Sequence, residues 1–242
     1  MSEAGPGRAS SSGERRVPRL ETIYLYATSD CNQRCRHCWV EAGSGPPTGP
    51  PLAVGELRRA LAPARALGLE WLKVTGGEPF VRSDAIDLVE GFCGDGLAVQ
   101  VETNGTLIDD RLAGRLAAAG VTQVSVSLDG AVAGTHDGLR RQVGSFDRAV
   151  RAIERLVTRG VTVQVLFTLT RENVNEVDGV LERCERLGDF ARNVAEEKSC
   201  DLYTDGIWVM RVFGFPDQSE AAYVHATKSL NVLLGVPVSD PS

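Results

Sequence analysis

Residues 21–39 read ETIYLYATSDCNQRCRHCW, a short alternating run that opens directly into three cysteines. Glu21 to Ala27 has the period-two pattern and β-branched or aromatic content of a strand. The loop behind it carries Cys31, Cys35 and Cys38 in the spacing CxxxCxxC. This spacing lets three thiolates from one tight loop converge on one metal centre. A closed 4Fe-4S cluster takes four cysteines, so three leave one iron open to a substrate or cofactor. The same open-position logic separates catalytic from structural zinc sites. Zinc, or unrelated buried cysteines, are the alternatives. Zinc more often shows CxxC pairs with a second half elsewhere, and His37, adjoining Cys38, would complete a zinc set only with awkward geometry.

Outward from this loop, β-rich runs alternate with stretches of helical period, the signature of βα units on a parallel sheet. Strands are expected at Glu21–Ala27, Leu69–Thr75, Ala98–Glu102, Gln123–Leu128 and Thr162–Leu169. Helices are expected at Val54–Leu67, Ser83–Phe92, Asp109–Ala119, Ser145–Thr158 and Glu172–Leu187. Ser83 with Asp84, and Ser145 ahead of Asp147, offer capping oxygens and negative charge at helix starts. Gly68, Gly120, Gly160 and Gly188 mark helix stops. Residues 1–19 have almost nothing apolar and read as a disordered tail. Gly43 to Pro51, GSGPPTGPP, reads as a flexible or extended loop. After Gly188 the rhythm weakens: Asp189 to Asp205 shows no period, Ile207 to Phe213 offers one strand and Ser219 to Leu234 one helix. The expected organisation is a tail (1–19), a core (20–188) and a divergent or truncated C-terminal segment (189–242).

The 242 residues suit one catalytic domain. A net charge of -6 argues against a nucleic-acid or anionic-membrane surface, which needs a basic face. A peptide or small-molecule substrate is expected, with no nucleic acid and no membrane. Arg15-Arg16 is followed by Val17-Pro18-Arg19 rather than the apolar stretch an export signal needs. A cytoplasmic location is the expectation, where cysteines meet reducing thiols, and the three of the six that fall within eight residues read as metal ligands rather than as part of a disulfide framework.

Three further strand ends carry polar or glycine-rich groups. The second runs into Gly76-Gly77-Glu78-Pro79, the third into Glu102-Thr103-Asn104-Gly105, and the fourth carries Ser125, Ser127 and Asp129-Gly130. Paired glycines permit close backbone approach to a ligand, and a neighbouring carboxylate can accept from an ammonium. Asp129-Gly130 reads equally as a ligand pair or as a turn. In a parallel βα array all these loops share one end with the cysteines, where such folds build active sites.

With these motifs in register, the region from about Thr22 to about Leu187 resembles the radical S-adenosylmethionine (radical SAM) superfamily. The resemblance implies an α/β fold, a partial (β/α)6 TIM-like barrel, of which five units are clear here and the sixth must come from Ile207 to Phe213. It implies a 4Fe-4S cluster on Cys31, Cys35 and Cys38, His37 against the adenine of SAM, and Gly76, Gly77, Glu78 and Pro79 at its amino group. Asn104, Ser127 and Asp129 would lie near SAM, the last two by its ribose or methionyl part. His136-Asp137-Gly138-Leu139-Arg140-Arg141 with Gly144-Ser145-Phe146 resembles the HDxxRG and GSF pattern of peptide-modifying members, whose arginine pairs with the SAM carboxylate. Arg140 holds that position, or is a solvated arginine on a loop; Arg141 stands where the family usually has glycine.

The implied reaction is one-electron cleavage of SAM to methionine and a 5′-deoxyadenosyl radical that abstracts hydrogen from substrate, with an electron donor such as flavodoxin or ferredoxin. A ribosomally synthesised peptide is the expected substrate. The alternatives are a small metabolite in antibiotic or cofactor biosynthesis, and a truncated, non-catalytic cluster-binding domain. The C-terminal cysteine motifs of SPASM and twitch members are absent. Trp39, Glu41 and Glu102 face either substrate or surface. Cys93, Cys184 and Cys200 read as small buried or incidental residues.

Overall fold

In the computed structural model the described residues are 19–38, 40, 42, 52–197 and 208–209. They form one parallel sheet of six strands in the order β1-β2-β3-β4-β5-β6. The strands are β1 (Thr22–Tyr26), β2 (Trp71–Thr75), β3 (Ala98–Thr103), β4 (Gln123–Ser127), β5 (Val163–Leu166) and β6 (Trp208–Val209). Helices α1 (Val54–Leu61), α2 (Ala85–Gly94), α3 (Asp110–Ala119), α4 (Ala133–Arg140), α5 (Ser145–Val157) and α6 (Val177–Glu197) connect them. Strand order following chain order, with helices between, is the winding of a partial βα barrel. The sixth strand lies where the sequence offered it, although only Trp208 and Val209 of Ile207 to Phe213 are described, and Val209 pairs with Val165.

Strict alternation gives each strand two unlike faces. Toward the helices point Leu72, Val74, Val99, Val101, Val124, Val126 and Val165, all 0% exposed, with register partners such as Leu72↔Val99 and Val101↔Val124 keeping them level. Burying each such side chain stabilises the fold by about 1.5–3 kcal/mol. Helix α5 supplies the facing stripe, with Phe146, Ala149, Ala152, Ile153, Leu156 and Val157 buried at helical spacing.

Several local expectations are corrected. The first helix breaks after Leu61 into a 3-10 segment (Ala62–Leu67), because Pro63 has no N–H to continue the α ladder. Asp84 does not cap α2; its carboxylate is taken by the Arg82 guanidinium. Ser145 is the first residue of α5 rather than its cap. Asp137 does the capping, accepting from Gly144 N (2.6 Å), Phe146 N (2.8 Å) and Ser145 Oγ (2.8 Å). Gly188 does not stop a helix, since α6 continues to Glu197 through part of the stretch without a legible period. Helix α4 was not expected from the sequence. Residues 1–18, the loop 43–51 and the helix offered at 219–234 lie outside the described residues.

Candidate active site

The C-terminal ends of the strands build one cavity of about 410 Å³. The loop after β1 brings Cys31, Cys35, His37 and Cys38 to it, and the ends of β2 and β3 bring Thr75, Gly76, Gly77, Glu102 and Asn104. From β4, α4 and β5 come Ser127, Arg140, Leu166 and Thr168. Nine of the twelve sequence-predicted site residues therefore share one space; Glu78, Pro79 and Asp129 do not line it.

Packing between the cysteine loop and the turn after β2 explains the paired glycines. Gly77 N donates to Thr28 O (2.9 Å) and Glu78 N to Asp30 O (2.8 Å). A Cβ on Gly76 would lie 2.3 Å from Thr28 O, and one on Gly77 2.1 Å from Asp30 O. The close approach is thus to the backbone that presents the cysteines.

The Glu78 side chain is a buried brace behind the cavity. It is 0% exposed, and its carboxylate accepts from Thr103 Oγ1 (2.8 Å), Asn104 N (2.7 Å) and Phe80 N (3.2 Å). Burial pushes its carboxyl above the usual range, and these hydrogen bonds pull it partly back. Pro79 is buried at the start of the 3-10 turn Pro79–Val81, behind the cavity.

Asp129 likewise stands behind the wall, 0% exposed. Its Oδ2 accepts from Arg140 Nε (2.6 Å) and lies 3.1 Å from His37 Nε2, while Oδ1 accepts from Thr168 N (2.9 Å). Burial alone would raise its pKa, but the guanidinium and His37 hold the carboxyl well below the ordinary range. Arg140, buried and on a helix rather than a solvated loop, extends Nη1 to 3.7 Å from Cys35 Sγ. His37 keeps a buried Nδ1 without a hydrogen-bond partner.

Each thiol has an N–H donor: Gln33 N to Cys31 Sγ (3.4 Å), Arg140 Nη1 to Cys35 Sγ, and Ala42 N to Cys38 Sγ (3.4 Å). Asn104 joins the cysteine loop through Asn32 Oδ1 (2.8 Å). Burial pushes the Cys31 and Cys35 thiols up, opposed by Gln33 N–H and by Arg140 respectively. A cationic metal centre reverses that tendency by binding the thiolates. Among the described residues no group of three or more His, Cys, Asp or Glu side chains is gathered as the shell of one metal ion. Three thiols spread around one cavity, each with an N–H donor, fit a cluster that takes one thiolate per iron. The glycine-lined wall, Arg140 and the unpartnered His37 Nδ1 fit a polar ligand beside it.

Gln33, Thr75 and Thr168 line the cavity without having been expected. Their only sequence signal is position, inside the cysteine motif or at a strand's end. Glu102 does face the cavity, whereas Trp39, Glu41 and Cys200 lie outside the described residues. Cys93 is half-buried; Cys184 sits in the apolar core, its thiol pushed up to about 12 by burial. Both keep the incidental reading. No helix among the described residues is long and apolar enough to cross a membrane.

Comparison with known proteins gives a consistent result. Residues 25–184 match the radical SAM superfamily. AdoMet-dependent heme synthase of Methanosarcina barkeri is 35% identical over 178 residues, 74% of this chain and 50% of that protein. Mycofactocin maturase MftC of Mycolicibacterium smegmatis is 35% identical over 166 residues, 68% of this chain and 42% of that protein. The chain thus spans about half the length of the curated relatives it matches. Among solved structures, Streptococcus suis SuiB bound to S-adenosylmethionine superposes with a TM-score of 0.63 at 14% identity, covering 85% of this chain and 54% of that one. At that identity the likeness concerns the fold.

Proposed function

Because the chain belongs to the radical SAM superfamily, we propose that it is an enzyme in which Cys31, Cys35 and Cys38 hold a 4Fe-4S cluster whose fourth iron binds SAM. The observation that carries this reading is the single cavity shared by the three thiols, the Gly76-Gly77 backbone, Asn104, Ser127 and Arg140. When bound, the cluster and SAM supply reductive cleavage to a 5′-deoxyadenosyl radical that takes hydrogen from an unactivated carbon.

The chain's own residues orient and shield. Arg140, fixed through Nε on Asp129, presents its remaining N–H groups to the Cys35 thiolate and to a carboxylate in the cavity. His37, set by the same carboxylate, flanks the adenine. Gly76 and Gly77 offer backbone to the methionyl amino group, and Ser127 a hydroxyl to the ribose. Leu166, with the half-buried thiol loop, excludes water from the reacting end. Electrons come from a small redox protein such as flavodoxin or ferredoxin.

The substrate we favour is a ribosomally synthesised peptide. The His136 to Phe146 pattern, the mycofactocin maturase relative and the fold shared with SuiB, also solved bound to its precursor peptide SuiA, support it. A small metabolite is the second reading, favoured by the heme synthases and by Fe-coproporphyrin III synthase of Methanosarcina barkeri at 31% identity. Anaerobically loaded protein given SAM and dithionite tests the enzyme reading. 5′-Deoxyadenosine is expected; a cluster-loaded protein that forms none is a non-catalytic binding domain.

A further inference from the structure

A second cavity, about 470 Å³ in volume, is larger than the one at the cysteines and shares no described residue with it. Helix α1 and the 3-10 segment Ala62–Leu67 form one side; the end of α2 and Leu97, the residue leading into β3, form the other. It therefore lies toward the N-terminal ends of the strands, whereas the cysteines stand at their C-terminal ends. Its floor is apolar: Phe92 and Leu97 are buried there, with Leu61 and Ala62 beside them.

Around that floor stand Arg58, Arg59 and Arg65, and Asp95 is the one carboxylate among the described lining residues. Arg58 takes Asp95, donating from Nε to Oδ2 (2.8 Å) and from Nη2 to Oδ1. Those bonds hold the Asp95 carboxyl below its usual range, and the Arg65 charge adds to the effect. Among the described residues no acceptor is hydrogen-bonded to the Arg59 or Arg65 guanidinium, and no carboxylate stands within ion-pair distance of either. Three guanidiniums against one carboxylate leave the cavity positive in a chain whose net charge is -6.

Glycines seat all three arginines. A Cβ on Gly91 would lie 3.1 Å from Arg58 Cδ, one on Gly55 3.5 Å from Arg59 Nη1, and one on Gly96 3.6 Å from Arg65 Nη2. Each long side chain thus rests against bare backbone at the cavity, which lessens the freedom it loses when a ligand arrives.

We propose that this cavity binds a small amphipathic organic anion. Arg59 and Arg65 meet its carboxylate, sulfonate or phosphate group, and Phe92, Leu61 and Leu97 meet its apolar body. A guanidinium presents paired N–H donors to such a group, and the volume suits a ligand of drug size. Guanidiniums gathered without enough counter-charge repel one another, so a bound anion relieves a cost that the free protein carries. The site is separate from the radical SAM chemistry and does not rest on it.

Calorimetry on the full-length, cluster-loaded protein in excess SAM tests this, with anilinonaphthalene sulfonate as the probe and N-phenylnaphthylamine as its uncharged counterpart. Saturable binding of the sulfonate is expected, weakening as salt is raised. The Arg59→Gln, Arg65→Gln double variant should raise its Kd about tenfold, while the uncharged counterpart binds weakly and equally to parent and variant. Ala62→Glu, which sets a carboxylate at an exposed position on the rim, should weaken the sulfonate likewise and serves should the double variant misfold. No saturable binding, an unchanged Kd in the folded variants, or an uncharged counterpart that binds as tightly as the sulfonate overturns the proposal. The variants locate the probe whether or not SAM fills the cysteine cavity, so the result stands apart from the radical SAM reading.

Discussion

Asp129 Oδ2 accepts a hydrogen bond from Arg140 Nε at 2.6 Å, in a position where the carboxylate has no exposed surface. That one oxygen also lies 3.1 Å from His37 Nε2, so it ties together the end of β4, helix α4 and the cysteine loop. Its second oxygen holds the backbone after β5 through Thr168 N. A residue with this many internal partners shapes the site from behind.

Asp129→Asn leaves Arg140 buried without its counter-charge. Removing one partner of a buried pair costs about 3–5 kcal/mol, and urea unfolding should register a loss of that size. An Arg140→Met, Asp129→Leu double variant should lose less than the sum of the singles, because it leaves no orphaned charge.

His136 gives the fold a pH dependence. Burial, then the Arg140 charge, pushes it down to about 4, and its Nδ1 accepts from Asp129 N at 3.0 Å. Between about pH 6.5, its unfolded value, and about pH 4, the unfolded chain takes up a proton that the folded chain refuses. Stability therefore falls as pH falls through that window, by about 2–3 kcal/mol. Glu78, pushed up by burial, contributes with the opposite sign. Urea midpoints of His136→Gln and the parent should thus converge at low pH, and parallel curves would refute the assignment.

Gly77→Ala drives a methyl to 2.1 Å from Asp30 O, which the cysteine loop can relieve only by moving away from β2. Iron and sulfide retained after anaerobic loading should fall to less than half of the parent value. Equal retention would mean that the loop does not depend on this contact.

Arg141 is the only described non-glycine residue with positive φ, at +52°, where it ends α4. Left-handed backbone costs a side chain about 1 kcal/mol, so Arg141→Gly should raise unfolding stability by about 0.5–1 kcal/mol. A loss of stability would show that the arginine side chain outweighs the strain.

Much of this was legible because the chemistry follows strand ends. Alternation in residues 21–27 and the repeated βα rhythm located the strands to within two or three residues, and the three cysteines open on one cavity with Asn104 and Arg140 as expected. The roles of Glu78 and Asp129 were not legible, since a carboxylate beside a glycine turn looks the same in sequence whether it faces ligand or backbone N–H groups. Local capping misled for the same reason. Asp84 had a nearer guanidinium in Arg82, and Asp137, seven residues before Gly144, reached the start of α5 only through the turn that follows α4.

The most direct test of the central claim is electron paramagnetic resonance of the reduced, anaerobically loaded protein with and without SAM. Three-cysteine ligation with an open iron predicts a 4Fe-4S signal whose g-values shift when SAM is added, and its loss in Cys35→Ala. A signal indifferent to SAM, or an intact cluster in Cys35→Ala, would contradict the account.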